Sequence, residues 1–274
     1  MRCDLGELVD AGAIYTVTEI LGRDEVRTVC EVLEYLSPTR RAVLHLMNPE
    51  LAGSVQHRSF MERAAILEGI RHPNLLRVLR AGETRAGVPF YLTDLERGVS
   101  LRKLLSWGST RRAMPAWHAR KITCDVLRGV NELSRHGLVH GDIRPETILV
   151  RAHRTKTDLV AAQIADFGAI YGRGIREPPG LPIAPAYASP ERLGNEGDHA
   201  KTDVFSVGVV LFEMLTGRRP FEDHERDAAS TGPCPPQGHA ECPVELELLA
   251  DLLVAPGSMK DRDAREITDA LGTC

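Results

Sequence analysis

Two aspartates in short, distinctive sequence runs are the first candidates for catalytic residues. Asp142 lies within the run His140-Gly141-Asp142-Ile143-Arg144-Pro145-Glu146-Thr147-Ile148-Leu149, and Asp166 begins the run Asp166-Phe167-Gly168. A carboxylate can accept a proton from a hydroxyl or bind a divalent cation. Arg144 and Thr147 follow Asp142 closely, so one segment carries a carboxylate, a fixed cation and a hydroxyl.

Further motifs follow these aspartates in a fixed order. Ala188-Ser189-Pro190-Glu191 comes next, followed by Asp203-Val204-Phe205-Ser206-Val207-Gly208, while His72-Pro73-Asn74 and Tyr91-Leu92-Thr93-Asp94 lie upstream. Together with the first two runs they resemble the catalytic loop, the DFG motif, the APE motif and the buried helix of eukaryotic-type (Hanks-type) Ser/Thr protein kinases, bacterial branch. The resemblance covers essentially the whole chain.

The resemblance implies an α+β, bilobal protein-kinase-like fold, with 1–274 as one domain. A small antiparallel β-sheet with one long helix would form the N-lobe at 15–95. A larger, mainly helical C-lobe would occupy 96–274 and include an activation segment at 166–191. The residue patterns agree, because they predict strands within 15–47, 75–81 and 88–94 and a helix over 55–70. Further helices are predicted at 100–107, 116–136, 204–216, 244–253 and 264–271.

By resemblance, each polar residue of the two aspartate runs has a role. Asp142 would accept the proton of the substrate hydroxyl, with Arg144 in place of the family's lysine beside it. Asp166 would bind the magnesium ion that bridges the β- and γ-phosphates. Thr147 replaces the asparagine that holds a second magnesium, and a hydroxyl is a weaker ligand than an amide oxygen.

The nucleotide-binding face implied by the resemblance is largely kept. Apolar side chains would enclose the adenine, Thr93 would be the gatekeeper, and backbone groups from Asp94 to Glu96 would form the hinge. The residues assigned to cofactor binding are Leu21, Val29, Val43, His45, Thr93, Asp94, Glu96 and Leu149. Leu67, His140 and Phe167 would form an apolar column, Glu191 and Arg262 a buried pair, and Asp203 an anchor of the catalytic loop.

The phosphate-binding parts, in contrast, depart from the family pattern. In the glycine-rich loop, the second and third glycines are replaced by Asp24 and Arg27, so two side chains stand where small residues normally let backbone N–H groups approach phosphates. His45 replaces the lysine of the VAIK strand. Arg63 replaces its helix partner glutamate, and helical spacing predicts that Arg63 points inward while Glu62 points away.

The activation machinery is also altered. Gly141 replaces the arginine that precedes Asp142, and residues 169–187 contain no serine or threonine, which excludes activation by Ser/Thr phosphorylation within that stretch. Ala184 stands where the family usually has a threonine that helps to orient the catalytic residues. We therefore expect the nucleotide cleft to be partly filled and catalysis to be impaired.

Composition sets the remaining bounds. The 274 residues include 34 Lys+Arg and 38 Asp+Glu, a net charge of −4, which argues against a nucleic-acid partner. The five lysines are Lys103, Lys121, Lys156, Lys201 and Lys260, so no alignment can place a lysine in the N-lobe. The scattered cysteines indicate reduced thiols of a cytoplasmic protein, and neither a signal peptide nor a membrane segment is visible in this chain.

These observations favour a pseudokinase that acts in signalling as a regulator or scaffold. Its partners would be proteins, and a second copy of the chain could form a homodimer with it. ATP and Mg²⁺ binding would be weakened, or there would be no cofactor at all. The alternative is a divergent active Ser/Thr kinase, a transferase in which Arg23 or Arg27 replaces the missing lysine. A third interpretation is that the chain is one domain of a longer signalling protein.

Overall fold

The computed structural model describes residues 4, 6–37, 39–95, 98–106, 113–152, 159–167, 170–172, 184–193 and 202–220. Within them the chain divides into two compact units. The first unit holds six strands and a long helix. The second holds the remaining strands and helices together with residues 73–75.

One antiparallel sheet dominates the first unit. Its strands are β1 (Leu8–Asp10), β2 (Ile14–Arg23), β3 (Arg27–Glu34), β4 (Arg41–Met47), β5 (Val78–Glu83) and β6 (Pro89–Asp94), in the order β1-β2-β3-β4-β6-β5. The strands predicted within 15–47 and at 88–94 are confirmed, and the strand predicted at 75–81 is present as β5 but begins at Val78 and ends at Glu83. The sheet also begins earlier than residue 15, because β1 pairs with β2.

The two faces of this sheet differ in character because side chains alternate along a strand. Cys30, Leu44 and Leu92 are fully or almost fully buried on one face. The opposite face carries the cross-strand row Val29, His45 and Tyr91.

Helix α1 (Val55–Gly69) packs against β5 and β6, which confirms the helix predicted at 55–70. Ser54 caps its first turn, because the Ser54 hydroxyl accepts a hydrogen bond from the His57 backbone N–H at 3.2 Å. A short 3₁₀ turn, Pro49–Leu51, precedes it.

The second unit combines helices with short strands. Its helices are α2 (Leu101–Leu105), α3 (Ala116–Arg135), α4 (Pro190–Leu193) and α5 (Thr202–Thr216). Its strands are β7 (Val99–Ser100), β8 (Leu138–Val139), β9 (Ile148–Ala152), β10 (Leu159–Ile164) and β11 (Tyr171–Gly172). The helices predicted at 244–253 and 264–271 lie outside the described residues. Among the helices described, none has the length and apolar character needed to cross a membrane.

One prediction about the cysteines is wrong. Cys124, which is fully buried in α3, is disulfide-bonded. The prediction of reduced thiols rested on the wide separation of the cysteines in sequence. Separation in sequence does not limit which side chains the fold brings together, so it was no evidence against a bridge.

Candidate active site

The segment after β8 holds Asp142 and Arg144 together. The Arg144 Nε donates to Asp142 Oδ2 at 3.0 Å, and the Arg144 Nη1 lies 3.8 Å from Glu146 Oε2. The predicted carboxylate and its adjacent cation thus form one ion pair. Its Asp142 side chain is 17% exposed, so a charged group lies mostly out of water.

Burial determines how easily Asp142 ionises. Loss of solvation raises the pKa of the Asp142 carboxyl above its ordinary value, and the positive charge of Arg144 only partly opposes this. A nearby carboxylate, Asp166, adds to the increase. A raised pKa moves a carboxylate toward the range in which a general base works, so this property is compatible with the role assigned to Asp142.

Asp203 anchors the start of this segment, as predicted. Its carboxylate, which is 2% exposed, accepts the backbone N–H groups of His140 at 2.7 Å and Gly141 at 2.8 Å. Gly141 has a φ of +77°, which a glycine adopts without strain and other residues adopt rarely. The segment that begins at His140 is therefore fixed by α5 through one buried side chain.

His140 connects the two aspartate runs. Its Nδ1 accepts from the Asp142 backbone N–H at 3.2 Å, and its Nε2 donates to the Ala165 carbonyl at 3.1 Å. The ring is therefore the neutral tautomer with its proton on Nε2. The His140 ring also meets Phe167 edge-on at 6.0 Å between centroids. This pair forms part of the predicted apolar column, and the place of Leu67 in it stays a prediction.

Thr147 is already occupied by the backbone of its own loop. Its hydroxyl lies 2.8 Å from the Asp142 carbonyl and 3.0 Å from the Arg144 carbonyl, which share its single proton, and it accepts from the Arg144 N–H at 3.2 Å. The side chain is also almost fully buried. These contacts do not fit a second magnesium ligand. Among the described residues no group of three or more His, Cys, Asp or Glu side chains is arranged to hold a metal.

The hairpin between β2 and β3 contains Asp24 and Arg27, the residues predicted to replace the second and third glycines of the glycine-rich loop. The Asp24 Oδ1 accepts the backbone N–H groups of Val26 at 2.7 Å and Arg27 at 2.8 Å. The Asn48 side-chain amide donates to the Asp24 carbonyl at 3.0 Å, and the Asn48 N–H donates to the Val26 carbonyl at 2.8 Å. The Asp24 carboxylate thus accepts two backbone N–H groups of this loop, and Asn48 holds the loop in place through two hydrogen bonds.

Arg27 turns from the end of this hairpin onto the face of the sheet that carries His45. Its Nη1 lies 2.8 Å from the Tyr91 hydroxyl oxygen and 3.3 Å from His45 Nδ1, and its side chain is 8% exposed. The His45 and Tyr91 rings stack at 4.3 Å between centroids. Because a guanidinium has only donors, His45 Nδ1 acts as the acceptor and holds no proton there. Arg23 instead lies toward Asp4 and is 44% exposed.

Arg63 lies on the inward face of α1, as the helical spacing predicts, while Glu62 is exposed. Only 4% of Arg63 is exposed, and its Nη1 has no hydrogen-bond partner among the described residues. Desolvation lowers the pKa of Arg63 to about 10, with Arg27 adding repulsion and Tyr91 opposing it. Arg27, His45, Arg63 and Tyr91 are called the arginine cluster below.

The residues predicted to face the adenine are divided between the two units. Val29, Val43 and Thr93 share one face of the sheet, where Val43 lies opposite Thr93. Leu21 lies at an irregularity of β2 and is 49% exposed. Asp94 ends β6 and Leu149 belongs to β9 in the second unit. Glu96 and the Glu191–Arg262 pair fall outside the residues whose side chains are described, and most of 169–187 is outside as well.

A comparison with models of protein families identifies the family of this chain. The model of the protein kinase domain matches residues 15–234, well over half of the chain. The chain belongs to the protein kinase domain family. Solved kinase domains agree with the fold: the Mycobacterium tuberculosis PknI kinase domain, as a C20A_R136A double mutant, is similar with a TM-score of 0.73 and 20% identity over 99% of this chain and 98% of that one.

Curated relatives of this kinase domain are Ser/Thr protein kinases. The chain is 28% identical to a probable serine/threonine-protein kinase, pknA2, of Bifidobacterium longum, over 76% of this chain and 27% of that protein. It is 26% identical to PknB of Mycolicibacterium smegmatis, over 98% of this chain and 41% of that protein. The chain thus spans well under half the length of these two relatives.

The kinase domain also contains a polar network that was not predicted. Arg102 of α2 contacts Glu146 at 2.7 Å through Nε and Glu213 of α5 at 2.6 Å through Nη1, and it contacts the Tyr187 hydroxyl. The Tyr187 hydroxyl donates to Glu213 Oε2 at 2.6 Å. Glu213 is 2% exposed, and burial together with its charge raises the pKa of Tyr187. A buried glutamate in an otherwise apolar helix was the only sequence signal.

Proposed function

We propose that this kinase domain is a pseudokinase: it has little or no phosphotransfer activity and acts in signalling as a regulator or scaffold. The observation that carries the proposal is the Asp24 carboxylate, which accepts the Val26 and Arg27 backbone N–H groups. Turns of this kind bind anions through successive N–H groups. Here an anion of the protein itself already takes them.

The charge of Asp24 adds to the effect of its hydrogen bonds. ATP carries several negative charges, and a carboxylate held in the loop repels them at short range. The contacts from Asn48 also tie this loop to the segment after β4, so that the loop would have to lose hydrogen bonds before its backbone turned toward a phosphate. The geometry therefore favours an empty phosphate subsite at this loop.

The family's lysine–glutamate ion pair is replaced by residues that cannot form an ion pair with each other or supply the same phosphate-binding cation. His45 accepts a hydrogen bond from Arg27 at its Nδ1, so it offers no cation. Arg63 brings a second positive charge where the family has a glutamate, and no lysine occurs before Lys103. Each lost electrostatic element of this kind costs on the order of 10²-fold in rate, although such losses are not additive.

The cofactor residues fit ATP and magnesium only in part. The apolar face of Val29 and Val43, with the buried Thr93, is compatible with an adenine. Thr147 is committed to backbone carbonyls, and the loop donors are committed to Asp24. We therefore propose that a nucleotide, if it binds, binds through its base and contributes to stability without reacting.

A divergent active kinase is the second candidate, and Arg27 is the observation that favours it. Of the two arginines proposed for this role, Arg27 reaches His45, the position of the missing lysine, whereas Arg23 lies toward solvent. An arginine can grip a phosphate with two donors. In this candidate, Arg27 would break its contact with Tyr91 and bind the phosphates of the nucleotide instead. The wild type would then transfer phosphate, and Arg27→Met would abolish that transfer.

Two measurements test the proposal. Transfer of labelled γ-phosphate to the protein and to a general acceptor protein is measured with Mg²⁺ and with Mn²⁺, beside Asp142→Asn. Labelling equal to that of Asp142→Asn supports the pseudokinase, and labelling that depends on both Asp142 and Arg27 establishes the active kinase. Thermal unfolding with ATP in EDTA then asks whether nucleotide binds without metal.

We further propose a role with protein partners, among which a second copy of this chain is the simplest. The proposal rests on the kept fold: Asp203, His140 and the Arg102 network still fix the second unit although the phosphate-binding parts have changed. Sedimentation of the purified chain across a concentration series tests the homodimer. A single monomeric species at all concentrations would contradict it.

A further inference from the structure

The first unit contains a cavity of about 350 Å³ that is separate from the arginine cluster. The buried side chains of Ala42 and Leu92 form part of its apolar floor. Along β4 and β6 these residues alternate with Val43 and Thr93, so they lie on the opposite face of the sheet from the predicted adenine site. Ligand sites occupy about 300–1,000 Å³, and a cavity at the lower end of this range suits a small molecule.

A buried phenol lines this cavity without a hydrogen bond. Tyr15 is 8% exposed, and its hydroxyl makes no hydrogen bond within the described part of the chain. Burial raises the pKa of Tyr15, and the carboxylate of Glu34 adds to the increase. The charges of Arg40 and Arg80 oppose it, so both cations act on the phenol. Because a buried tyrosine hydroxyl usually has a partner, Tyr15 points to a polar ligand in the cavity.

Arg80 is a cation of the cavity that is held in place and has donors to offer. Its Nη1 donates to the Gly12 carbonyl at 3.0 Å. Gly12 has a φ of +78°, and a Cβ at this residue would lie 2.5 Å from Arg80 Cζ, so a larger residue would displace the guanidinium. Among the described residues Arg80 makes no ion pair and no other hydrogen bond. A guanidinium has five N–H donors, and those that remain fit a carboxylate.

Glu68 supplies the opposite charge, at the C-terminal end of α1. It lines the cavity, and its carboxylate makes no hydrogen bond or ion pair with the residues that the structure describes. Arg71 lies at the same helix end but donates to the Glu68 backbone carbonyl, at 2.6 Å. A negative charge is unfavourable at the C-terminus of a helix. The carboxylate of Glu68 is therefore available to a cationic group of a ligand.

The other two charged residues of the cavity compensate each other. Glu34 Oε2 lies 3.5 Å from Arg40 Nη1, and Arg40 is the exposed member of this ion pair. Arg80 and Glu68 thus determine what a ligand must carry. Their opposite signs call for one anionic and one cationic group on the same small molecule, and the apolar floor calls for an apolar side chain.

We propose that this cavity binds a free α-amino acid with an apolar side chain. Its carboxylate would bind Arg80 and accept a hydrogen bond from the Tyr15 hydroxyl. Its ammonium group would bind Glu68, and its side chain would lie on the apolar floor. The inference does not rest on the proposed loss of catalysis, because no residue of this site belongs to the predicted nucleotide face or to the segment that holds Asp142.

The test is calorimetric titration of the whole chain with L-leucine, N-acetyl-L-leucine and L-leucinamide. The acetyl compound lacks the cation and the amide lacks the anion, so each should bind at least about 10-fold more weakly than L-leucine. Arg80→Met should weaken L-leucine binding to the same degree without affecting L-leucinamide. Glu68→Gln should weaken L-leucine binding without affecting N-acetyl-L-leucine. Arg77→Met and Glu62→Gln change exposed charges outside the cavity and should bind L-leucine as the wild type does.

Two results would overturn the site. One is that neither L-leucine nor L-phenylalanine binds the wild type at millimolar concentration. The other is an affinity for L-leucine that stays unchanged in Arg80→Met or in Glu68→Gln. Thermal unfolding without ligand shows whether each variant is folded. Arg80→Lys keeps the charge and replaces Arg80→Met if that variant does not fold, and it should bind L-leucine more weakly than the wild type because it lacks the paired donors of a guanidinium.

Discussion

At the residue scale, Arg63 shows how a single substitution changes the energetics of a helix. It lies buried on the inward face of α1, at the position that the resemblance assigns to the family's glutamate, and it carries the opposite charge. A pKa lowered from 12.5 to about 10 corresponds to a cost of about 3 kcal/mol for keeping the guanidinium charged in the fold. The cost is present at every pH below about 10, because the unfolded chain holds the proton more tightly there.

Arg63→Met should therefore raise the free energy of unfolding at neutral pH by about 1–3 kcal/mol, because it removes an unpaired buried charge and keeps apolar volume. Urea unfolding measures this difference. Arg58→Met makes the same chemical change at an exposed site of α1 and should stay within about 0.5 kcal/mol of the wild type. Destabilisation by Arg63→Met would show that Arg63 has a compensating partner within the fold.

Asp142 gives a second prediction at the residue scale, for a buried negative charge where Arg63 is a buried positive one. Its pKa is raised in the fold, so the native state binds the proton more tightly and the ionised carboxylate costs stability above the raised pKa. Asp142→Asn should thus increase the unfolding temperature at pH 7. The difference from the wild type should shrink as pH falls and disappear below the ordinary value of 3.8. An increase in unfolding temperature that does not depend on pH would show that the ionisation of Asp142 is not its cause.

At the element scale, the Arg102 network joins α2, the turn that holds Glu146, and α5. Glu213 is the member that is buried, while Glu146 is 39% exposed, so their removal should have different consequences. Glu213→Gln leaves Arg102 and Tyr187 without their buried anion and should lower the free energy of unfolding by about 2–4 kcal/mol. Glu146→Gln should cost less than about 1 kcal/mol. Chemical denaturation of both variants makes the comparison, and equal losses would be inconsistent with it.

The β2–β3 hairpin provides the second element-scale prediction. Asp24→Ala frees the Val26 and Arg27 backbone N–H groups and should cost roughly 1 kcal/mol of stability. The same change should increase the affinity for ATP, because donors become available and a repelling charge is lost. Calorimetry with ATP in EDTA measures the affinity. Glu25→Ala removes a neighbouring exposed carboxylate as a control, and an equal gain in both variants would mean that only net charge matters.

Sequence patterns were sufficient for the elements and for the direction of Arg63, because both depend on local periodicity. Strands β2 to β6 and helices α1, α3 and α5 follow from alternation and helical spacing, whereas β1 and the short strands of the second unit were not predicted. The inward position of Arg63 follows from its offset from Phe60 and Leu67. The contacts of Arg27 with Tyr91 and of Arg102 with Glu213 join residues 64 and 111 positions apart. No local pattern contains that information. The hairpin role of Asp24 is an intermediate case, since an aspartate that bonds to backbone N–H groups two or three residues ahead is a common turn device.

At the scale of the whole molecule, the pseudokinase proposal places the departures from the family pattern on the parts that would handle phosphate. The second unit keeps a buried aspartate anchor, a neutral histidine that links both aspartate runs, and the Asp142–Arg144 pair. In the first unit, the resemblance assigns His45 to the position of the strand lysine and Arg63 to that of its helix partner, and it assigns Asp24 and Arg27 to two loop glycines. The absence of lysine before Lys103 makes this a property of the chain in any alignment, because every fixed cation available there is an arginine.

The rate of γ-phosphate transfer from ATP tests this account most directly. It is measured in single turnover with Mg²⁺ and with Mn²⁺ for the wild type, Asp142→Asn and Arg27→Met. The account predicts that all three proteins are equal to the background without protein. Transfer by the wild type that is lost in Asp142→Asn would contradict it, and a parallel loss in Arg27→Met would identify Arg27 as the cation of an active kinase.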